Sequence, residues 1–479
     1  MNYHPLRKSR VGRAASALLC ASLLSSCVMG PDYQRPQVTQ PNDFRFQINQ
    51  TDATSFADLA WWDVFRDPAL QSLIGNALAN NYDLQVATAR IEQARELIGV
   101  ARSQALPQLN YDGHGGIAKK PGDDQDIVGS YTSAAGILNA AWEFDVWGRI
   151  KRATEAARAN TYQQEEIRRG IMLTLVSDVA TGYFRLIQLD RELAIALDSK
   201  ATFSKTHELF SLRFQAGRDS RLPVERAKSS LDESTAQVAE IEREIAQQEN
   251  ALSILTGAYP GPIPRGMALT AQQMPPQTPV GLTTELLKRR PDIRAAEQGM
   301  ISANAQIGEA VANFYPKIGL SALAGLIGIG SAGALNGSSG FWRGGLNLAG
   351  PIFTGGRLES EYRNRKAYWD ETVAQYRQTI LVAFRETSDA LVAQQKLAAQ
   401  RAALETKVAA IRQSIDLALE RYHSGRASYF EVIEAQQQLF PAEDQLAQVQ
   451  QAQLVAVVNL YKALGGGWNM TDDQFQRRS

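Results

Sequence analysis

The chain is short of the residues that build disulfide frameworks, metal centres and catalytic constellations. Cysteine occurs only at Cys20 and Cys27 in 479 residues. Two thiols without Cys-x-x-Cys spacing make neither a disulfide scaffold nor a zinc site. Histidine occurs only at His4, His114, His207 and His423. No pair has His-x-x-x-His spacing, and no Gly-x-Ser-x-Gly elbow is present, so the sequence offers no metallohydrolase or serine-hydrolase centre and no enzyme is expected. An excess of one charge is missing as well. Fifty basic residues face fifty acidic ones, which removes the electrostatic case for a nucleic-acid partner. Proline is rare too: after Pro316 only Pro351 and Pro441 remain. With abundant Ala and Gln, that scarcity favours long helices.

The N-terminus, by contrast, is strongly patterned. Arg7, Lys8, Arg10 and Arg13 precede an apolar run from Ala14 to Leu24, and Ser25, Ser26 and Cys27 follow. Basic, apolar and small-residue parts in that order make a secretory signal peptide. The apolar run would rise about 16 Å as a helix, half of a ~30 Å hydrocarbon core, so it is too short to be a membrane anchor. Leu24-Ser25-Ser26-Cys27 resembles the bacterial lipobox, in which the cysteine becomes the first mature residue and is acylated. Cleavage there takes Cys20 and four basic residues away, leaving one thiol and a net charge of about −4. Acyl chains contribute ~0.8 kcal/mol per buried methylene, so two or three of them hold a protein firmly in a membrane.

The mature chain is one unit written twice. Residues 82–109, YDLQVATARIEQARELIGVARSQALPQL, align without a gap with residues 291–318, PDIRAAEQGMISANAQIGEAVANFYPKI, at an offset of 209. Asp83 meets Asp292, Ile98-Gly99 meets Ile307-Gly308, and Pro107 meets Pro316. Farther along, Gly148-Arg149 meets Gly356-Arg357 and Gly217 meets Gly425, both at an offset of 208. A Pro- and Gly-rich stretch after Gly257 reads as a linker. The organisation expected is a leader at 1–26, a lipidated segment at 27–67, a first repeat at 68–257, a linker at 258–282, a second repeat at 283–468 and a tail at 469–479.

Each copy reads as helix, strand, strand, long helix, break, long helix. The first helix ends before Pro107 or Pro316. A helix from about Arg149 to Gln215 would be on the order of 100 Å long, far beyond globular lengths. Its partner, about Ser220 to Thr256, carries Leu231, Val238, Ile241, Ile245, Leu252 and Leu255 at coiled-coil spacing. Gly217 and Gly425 stand where antiparallel helices must reverse, and Pro223 suits the first turn after a reversal. Adjacent acids such as Glu165-Glu166 read as solvated helix surface. In the strands, Leu109, Tyr111 and Ile117 alternate with Asn110, Asp112 and His114. Leu138, Trp142 and Phe144 alternate with Asn139, Glu143 and Asp145. Such a period suits a strand between lipid and water, and a strand half-buried on a soluble core, which alternation alone favours slightly, gives the same pattern. Ile318–Leu335 is uncharged over the length of a membrane helix, but it is glycine-rich and its repeat copy carries charge. Gly328–Gly333 fits G-x-G-x-x-G, yet no helix pattern or nearby acid follows, so no dinucleotide site is expected.

Four strands cannot close a barrel in lipid, which tolerates no open sheet edge. Three chains would supply twelve. At this point the chain resembles the TolC-like outer-membrane efflux channels, in the lipoprotein branch typified by NodT and OprM. The resemblance rests on Cys27 with GPDY (Gly30–Tyr33), WWDVFRDPALQSLI (Trp61–Ile74), RRPDIRAAE (Arg289–Glu297), FYPKI (Phe314–Ile318), YFEVIEAQQQL (Tyr429–Leu439) and LGGGW (Leu464–Trp468). It implies a mixed α and transmembrane β fold: a homotrimeric 12-stranded β-barrel, four strands per chain, continuous with a long α-helical coiled-coil barrel in the periplasm. It implies a lipid on Cys27, no cofactor, and partners that are a periplasmic adaptor (membrane fusion) protein and an inner-membrane RND-type pump. The function implied is a passive exit duct for drugs or other small toxic compounds. The alternative in another class is a lipid-anchored periplasmic coiled-coil scaffold or adaptor.

The resemblance also places a gate beside the second reversal. Phe430 falls where the OprM-type pattern has an apolar constricting residue, and Glu434 where family members have a gate aspartate. Glu431 falls where some have a second acid, and Tyr422 matches a tyrosine that ties neighbouring helices. Ala427 and Pro223 depart from the pattern: one branch has an arginine latch at the first position and a tyrosine-pairing aspartate at the second.

Overall fold

The computed structural model describes residues 28–39, 41, 43–45, 58–119, 130–273, 283–331 and 335–467. Cys27, the leader and the 469–479 tail lie outside the described residues. The described elements are α1 (Trp61–Val64), α2 (Pro68–Asn80), α3 (Tyr82–Ser103), β1 (Gln108–Lys119), β2 (Ser130–Phe144), α4 (Arg149–Gln215), α5 (Arg221–Leu255), α6 (Thr283–Arg289), α7 (Pro291–Ala312), β3 (Lys317–Ser331), β4 (Ser338–Ala349), α8 (Arg357–His423) and α9 (Tyr429–Ala463). Three helix pairs of the two copies agree to the residue, whereas the strands differ, with 12 and 15 residues in the first copy and 15 and 12 in the second. α3 and α7 have 22 residues each, α4 and α8 have 67, and α5 and α9 have 35.

The ends of these helices follow local chemistry. The Asp67 carboxylate accepts from the amides of Ala69 and Leu70, and Pro68 opens α2, as an N-cap with proline at the first position should. Asn81 does the same for α3 through Asp83 N and Leu84 N, and its own amide donates to Leu255 O. Asp145 accepts from Ile150 N and Lys151 N at the start of α4. The long helices all stop alike. Gly217, Gly257, Gly425 and Gly465 have φ of +69°, +70°, +70° and +71°. Behind them run the paired bonds of a Schellman motif, such as Arg218 N to Arg213 O and Arg426 N to Arg421 O.

The chain divides into two compact units. The first comprises Met1–Gln37, Arg90–Gln164 and Ala295–Tyr376. It holds an antiparallel meander in the order β1-β2-β3-β4. The middle junction joins the copies, since β2 belongs to the first repeat and β3 to the second. Pairing brings Tyr111 opposite Leu138, Leu138 opposite Ala324, and Ala324 opposite Trp342. One face is therefore apolar across all four strands, and Asn110, Asp112, His114, Asn139, Arg343 and Asn347 share the other. The apolar face is bare: Tyr111 is 87% and Trp342 83% exposed. Strands half-buried on a soluble core would not leave these rings uncovered, so the choice left open by the alternation falls to the lipid-facing reading.

A strap after Cys27 lies on the same unit. Gly30, at φ +86°, meets Gly308 so closely that a Cβ on Gly30 would stand 2.4 Å from the Gly308 Cα. Met29 N donates to Trp147 O, Arg152 reaches Asp32 at 2.8 Å, and Asn304 donates to Pro31 O. Tyr33 and Arg35 both donate to Glu297, and Tyr33 meets Trp369 edge-on. The GPDY motif is thus a set of contacts, each made by one of its residues.

The second unit comprises Val38–Ala89, Glu165–Arg294 and Arg377–Ser479. Its core includes Trp61, Leu70, Ile74, Tyr183, Leu186, Leu189, Leu252 and Tyr461, all fully buried. Asp67 lies at its centre and also accepts from Tyr183 Oη, Met267 N and Gln272 Nε2. Val238 and Ile241 of the expected seam pack with Leu189 and Ala196, flanked by Leu193, Ile245 and Phe440. One expectation fails here. Glu166 is buried rather than solvated, because Arg169 and Arg294 both reach its Oε1 at 2.7 Å. Burial pushes its carboxyl up, and the two guanidinium groups oppose the shift. A paired charge tolerates burial that a lone one would not.

Candidate functional site

The reversal tips of the second unit carry the expected site residues. α4 turns at Gly217 into α5, and α8 turns at Gly425 into α9, with Ser220 and Ser428 preceding the outgoing helices. The two tips pack on each other. Phe210, Ala227 and Ile433 form a small buried cluster flanked by Val224 and Tyr429. Tyr429 stands edge-on to Phe210 at 5.1 Å and to Tyr422 at 4.9 Å, within the range where such pairs add stability beyond their burial.

Polar ties cross between the tips, and the Thr206 hydroxyl lies 3.4 Å from that of Tyr429. Arg213, in the last turn of α4, donates from Nε to Asp219 Oδ2 at 2.5 Å and from Nη1 to the Tyr422 hydroxyl at 2.7 Å. The hydrogen bond to Asp219 raises the Arg213 pKa, so the donor stays charged and the bond to Tyr422 is charge-assisted. The tyrosine is thus held by Arg213, not by residues at positions 427 or 223.

The other expected residues project away from this cluster. Phe430 is 50% exposed, with the Arg226 guanidinium 5.0 Å from its ring centre. That distance permits a cation–π contact. Glu431 lies 3.4 Å from Arg421. Glu434 is exposed, one turn beyond Phe430 on α9, and makes no ion pair among the described residues. Phe430 and Glu434 therefore share one helix face.

Arg213, Asp219, Arg226 and Tyr429 were not anticipated from the sequence. A signal existed in the repeat itself. At the 208-residue offset, Leu222 corresponds to Phe430, Pro223 to Glu431, Arg226 to Glu434, Asp219 to Ala427 and Phe214 to Tyr422. Beside the shared pairs Arg213 and Arg421, Gly217 and Gly425, and Ser220 and Ser428, these five positions differ in side-chain chemistry.

A second polar cluster lies farther along α4. Glu192, 7% exposed, accepts from Gln188, which accepts from Arg185, which donates to Glu244 of α5. Asp444 of α9 faces it and accepts from Gln448. Burial first, and the hydrogen bond and charge of Asp444 next, push the Glu192 carboxyl up to about 7. Among the described residues no group of His, Cys, Asp and Glu could hold a metal ion.

Comparison with known proteins agrees along nearly the whole length. The family model described as outer membrane efflux protein matches twice, over residues 73–258 and 282–466. The cation efflux system protein CusC of Escherichia coli O157:H7 is 31% identical over 453 residues, covering 94% of this chain and 98% of the relative. The probable efflux pump outer membrane protein TtgC of Pseudomonas putida is 32% identical over 464 residues, 95% of each. Among solved structures, the open state of the Neisseria gonorrhoeae MtrE outer membrane channel superposes with a TM-score of 0.81 at 29% identity, over 92% of this chain and 99% of that one.

Proposed function

The chain belongs to the outer membrane efflux protein family and is an outer-membrane efflux channel, and we propose that it works as a homotrimeric exit duct gated at the α4–α5 and α8–α9 tips. Three four-stranded sheets form a 12-stranded barrel in the outer membrane. The long helices form the periplasmic duct, and acylated Cys27 anchors each chain. A periplasmic adaptor and an inner-membrane RND-type pump complete the assembly. The pump supplies energy, and the duct passes drugs or other small toxic compounds.

One observation carries this reading: a sheet with two unpaired edges and an uncovered apolar face. In lipid each unpaired backbone group costs several kcal/mol, so the edges must be paired by other copies. The gate follows from the tips. Three copies of Phe430 narrow the axis, and three of Glu434 set an acidic ring that draws cations and repels itself. Arg213 bound to Tyr422 holds one chain's two tips together, so opening moves them as a pair or breaks that bond. Native mass spectrometry of protein extracted from outer membranes in mild detergent tests the assembly. Three chains are expected, and a stable monomer would overturn the duct in favour of a lipid-anchored scaffold.

A further inference from the structure

The repeat does more than require neighbouring copies: it specifies how they meet. Within the first copy, β1 pairs Gln108 with Ala141 and Asn110 with Asn139. Within the second, β3 pairs Lys317 with Ala349 and Gly319 with Asn347. Lys317 is the repeat counterpart of Gln108, and Ala349 that of Ala141. The register is thus the same in both copies although the paired residues differ. The junction between copies sets Ala141 opposite Ser321, Asn139 opposite Leu323 and Ile137 opposite Gly325. Only its mirror junction, β4 to the next β1, is missing from one chain.

We infer that β4 pairs antiparallel with β1 of a neighbouring copy in the register that the β2–β3 junction dictates. Ala349 then stands opposite Asp112 of the partner subunit, Asn347 opposite His114 of the partner subunit, and Gly345 opposite Gly116 of the partner subunit. The inference rests on the trimeric reading and adds a particular register to it.

The parity of the sheet supports it. This register sets Leu346 and Leu348 on the side of Leu109 and Tyr111, so the apolar face continues unbroken. A slip of one residue would turn it to the lumen, so only even slips compete. An equal stagger is its consequence. Passing straight across from Gln108 through Ala141 reaches Ser321, four residues beyond the counterpart Lys317. In the inferred register, passing from Lys317 through Ala349 reaches Asp112, again four beyond Gln108. Each copy then advances the sheet equally, and three chains close in six equal steps, as a fixed shear demands. The register also sets the Asn347 amide beside the His114 imidazole, two exposed polar groups on the lumen face.

Cysteine pairs in the full-length chain test it. β1 and β4 are opposite edges of one sheet, so a disulfide between them joins different copies. One adjacent pair, Asn347→Cys with His114→Cys or Leu346→Cys with Gly115→Cys, is of the non-hydrogen-bonded kind, with Cα atoms about 4.5 Å apart, which suits a disulfide. The slipped pairs Asn347→Cys with Asp112→Cys and Asn347→Cys with Gly116→Cys are the rivals. Protein oxidised in outer membranes is run without reductant, beside the unsubstituted chain. Covalent trimers from one of the first two pairs are expected, at roughly tenfold the yield of either slipped pair. Strongest linkage in a slipped pair, or no linkage in preparations whose native mass is three chains, would overturn the register and leave the trimer standing. No linkage together with a monomeric native mass would overturn the trimeric reading on which it rests.

Discussion

The two copies of the repeat match in backbone and part company in charge. The lengths of the long helices, the strand registers and the four glycine helix ends coincide, whereas several side chains at the tips do not. Leu222, Pro223 and Arg226 in the first copy stand where the second has Phe430, Glu431 and Glu434. Higher on the helices, buried Glu192 corresponds to Gln400. A duplicated backbone supplies a near-symmetric duct, and the proposed gating lives in the positions where that symmetry is broken.

The largest effect expected breaks the backbone side of the comparison. Gly257 and Gly217 have the same φ, but a Cβ on Gly257 would lie 2.5 Å from Asn80 O, while one on Gly217 meets nothing within 4 Å. Gly217→Ala should cost about 1–2 kcal/mol, the left-handed penalty alone. Gly257→Ala should cost several kcal/mol and lower trimer yield, because a backbone carbonyl must also move. Guanidinium unfolding followed by tryptophan fluorescence checks the difference. Equal losses would mean that the close approach at Asn80 relaxes freely.

Next is Glu192→Gln, which gives the first copy the amide of the second. The folded pKa of Glu192 is about 7, above its ordinary value of 4.5. The folded state therefore holds the proton more tightly. The stability this contributes is complete below pH ~4.5 and is lost as pH rises through about 7, a change on the order of 2–3 kcal/mol. The variant should flatten that decline in unfolding curves between pH 5 and 8. An unchanged slope would show that Glu192 does not carry the dependence.

Arg213→Ala removes the charged bond to Tyr422 across the tips, worth about 1.5–3 kcal/mol as a charged hydrogen bond. Resting conductance in a planar bilayer should rise, and Tyr422→Phe should reproduce part of the rise. If neither changes conductance, the tie is structural only. Arg226→Ala should have the smallest effect, since an exposed cation–π contact contributes ~0.5–1 kcal/mol. A modest increase in open events, without loss of trimer, is expected.

Much of this molecule was legible in its sequence because it depends on local rules. Glycine at Gly217 and Gly425, proline at Pro107 and Pro316, and the alternation around Tyr111 and Trp142 act over a few residues, and the repeat shows them twice. What escaped depends on partners distant in sequence. Glu166 looks solvated until Arg294 arrives from 128 positions away. Arg213 is an unremarked helix-end cation until Tyr422 comes from the other hairpin. Glu192 shares its surroundings with α5 and α9, which no pattern along α4 discloses. Gly30 explains itself only once Gly308 lies against it.

The most direct measurement is single-channel conductance of two double variants in planar bilayers. One truncates the second copy, Phe430→Ala with Glu434→Ala. The other truncates the matching positions of the first, Leu222→Ala with Arg226→Ala. If gating resides in the second copy's tip, the first pair should raise resting conductance severalfold and weaken cation preference, and the second pair should change conductance far less. Unchanged conductance in the Phe430 and Glu434 variant, or equal increases in both, would contradict the assignment of the gate to the positions where the copies diverge.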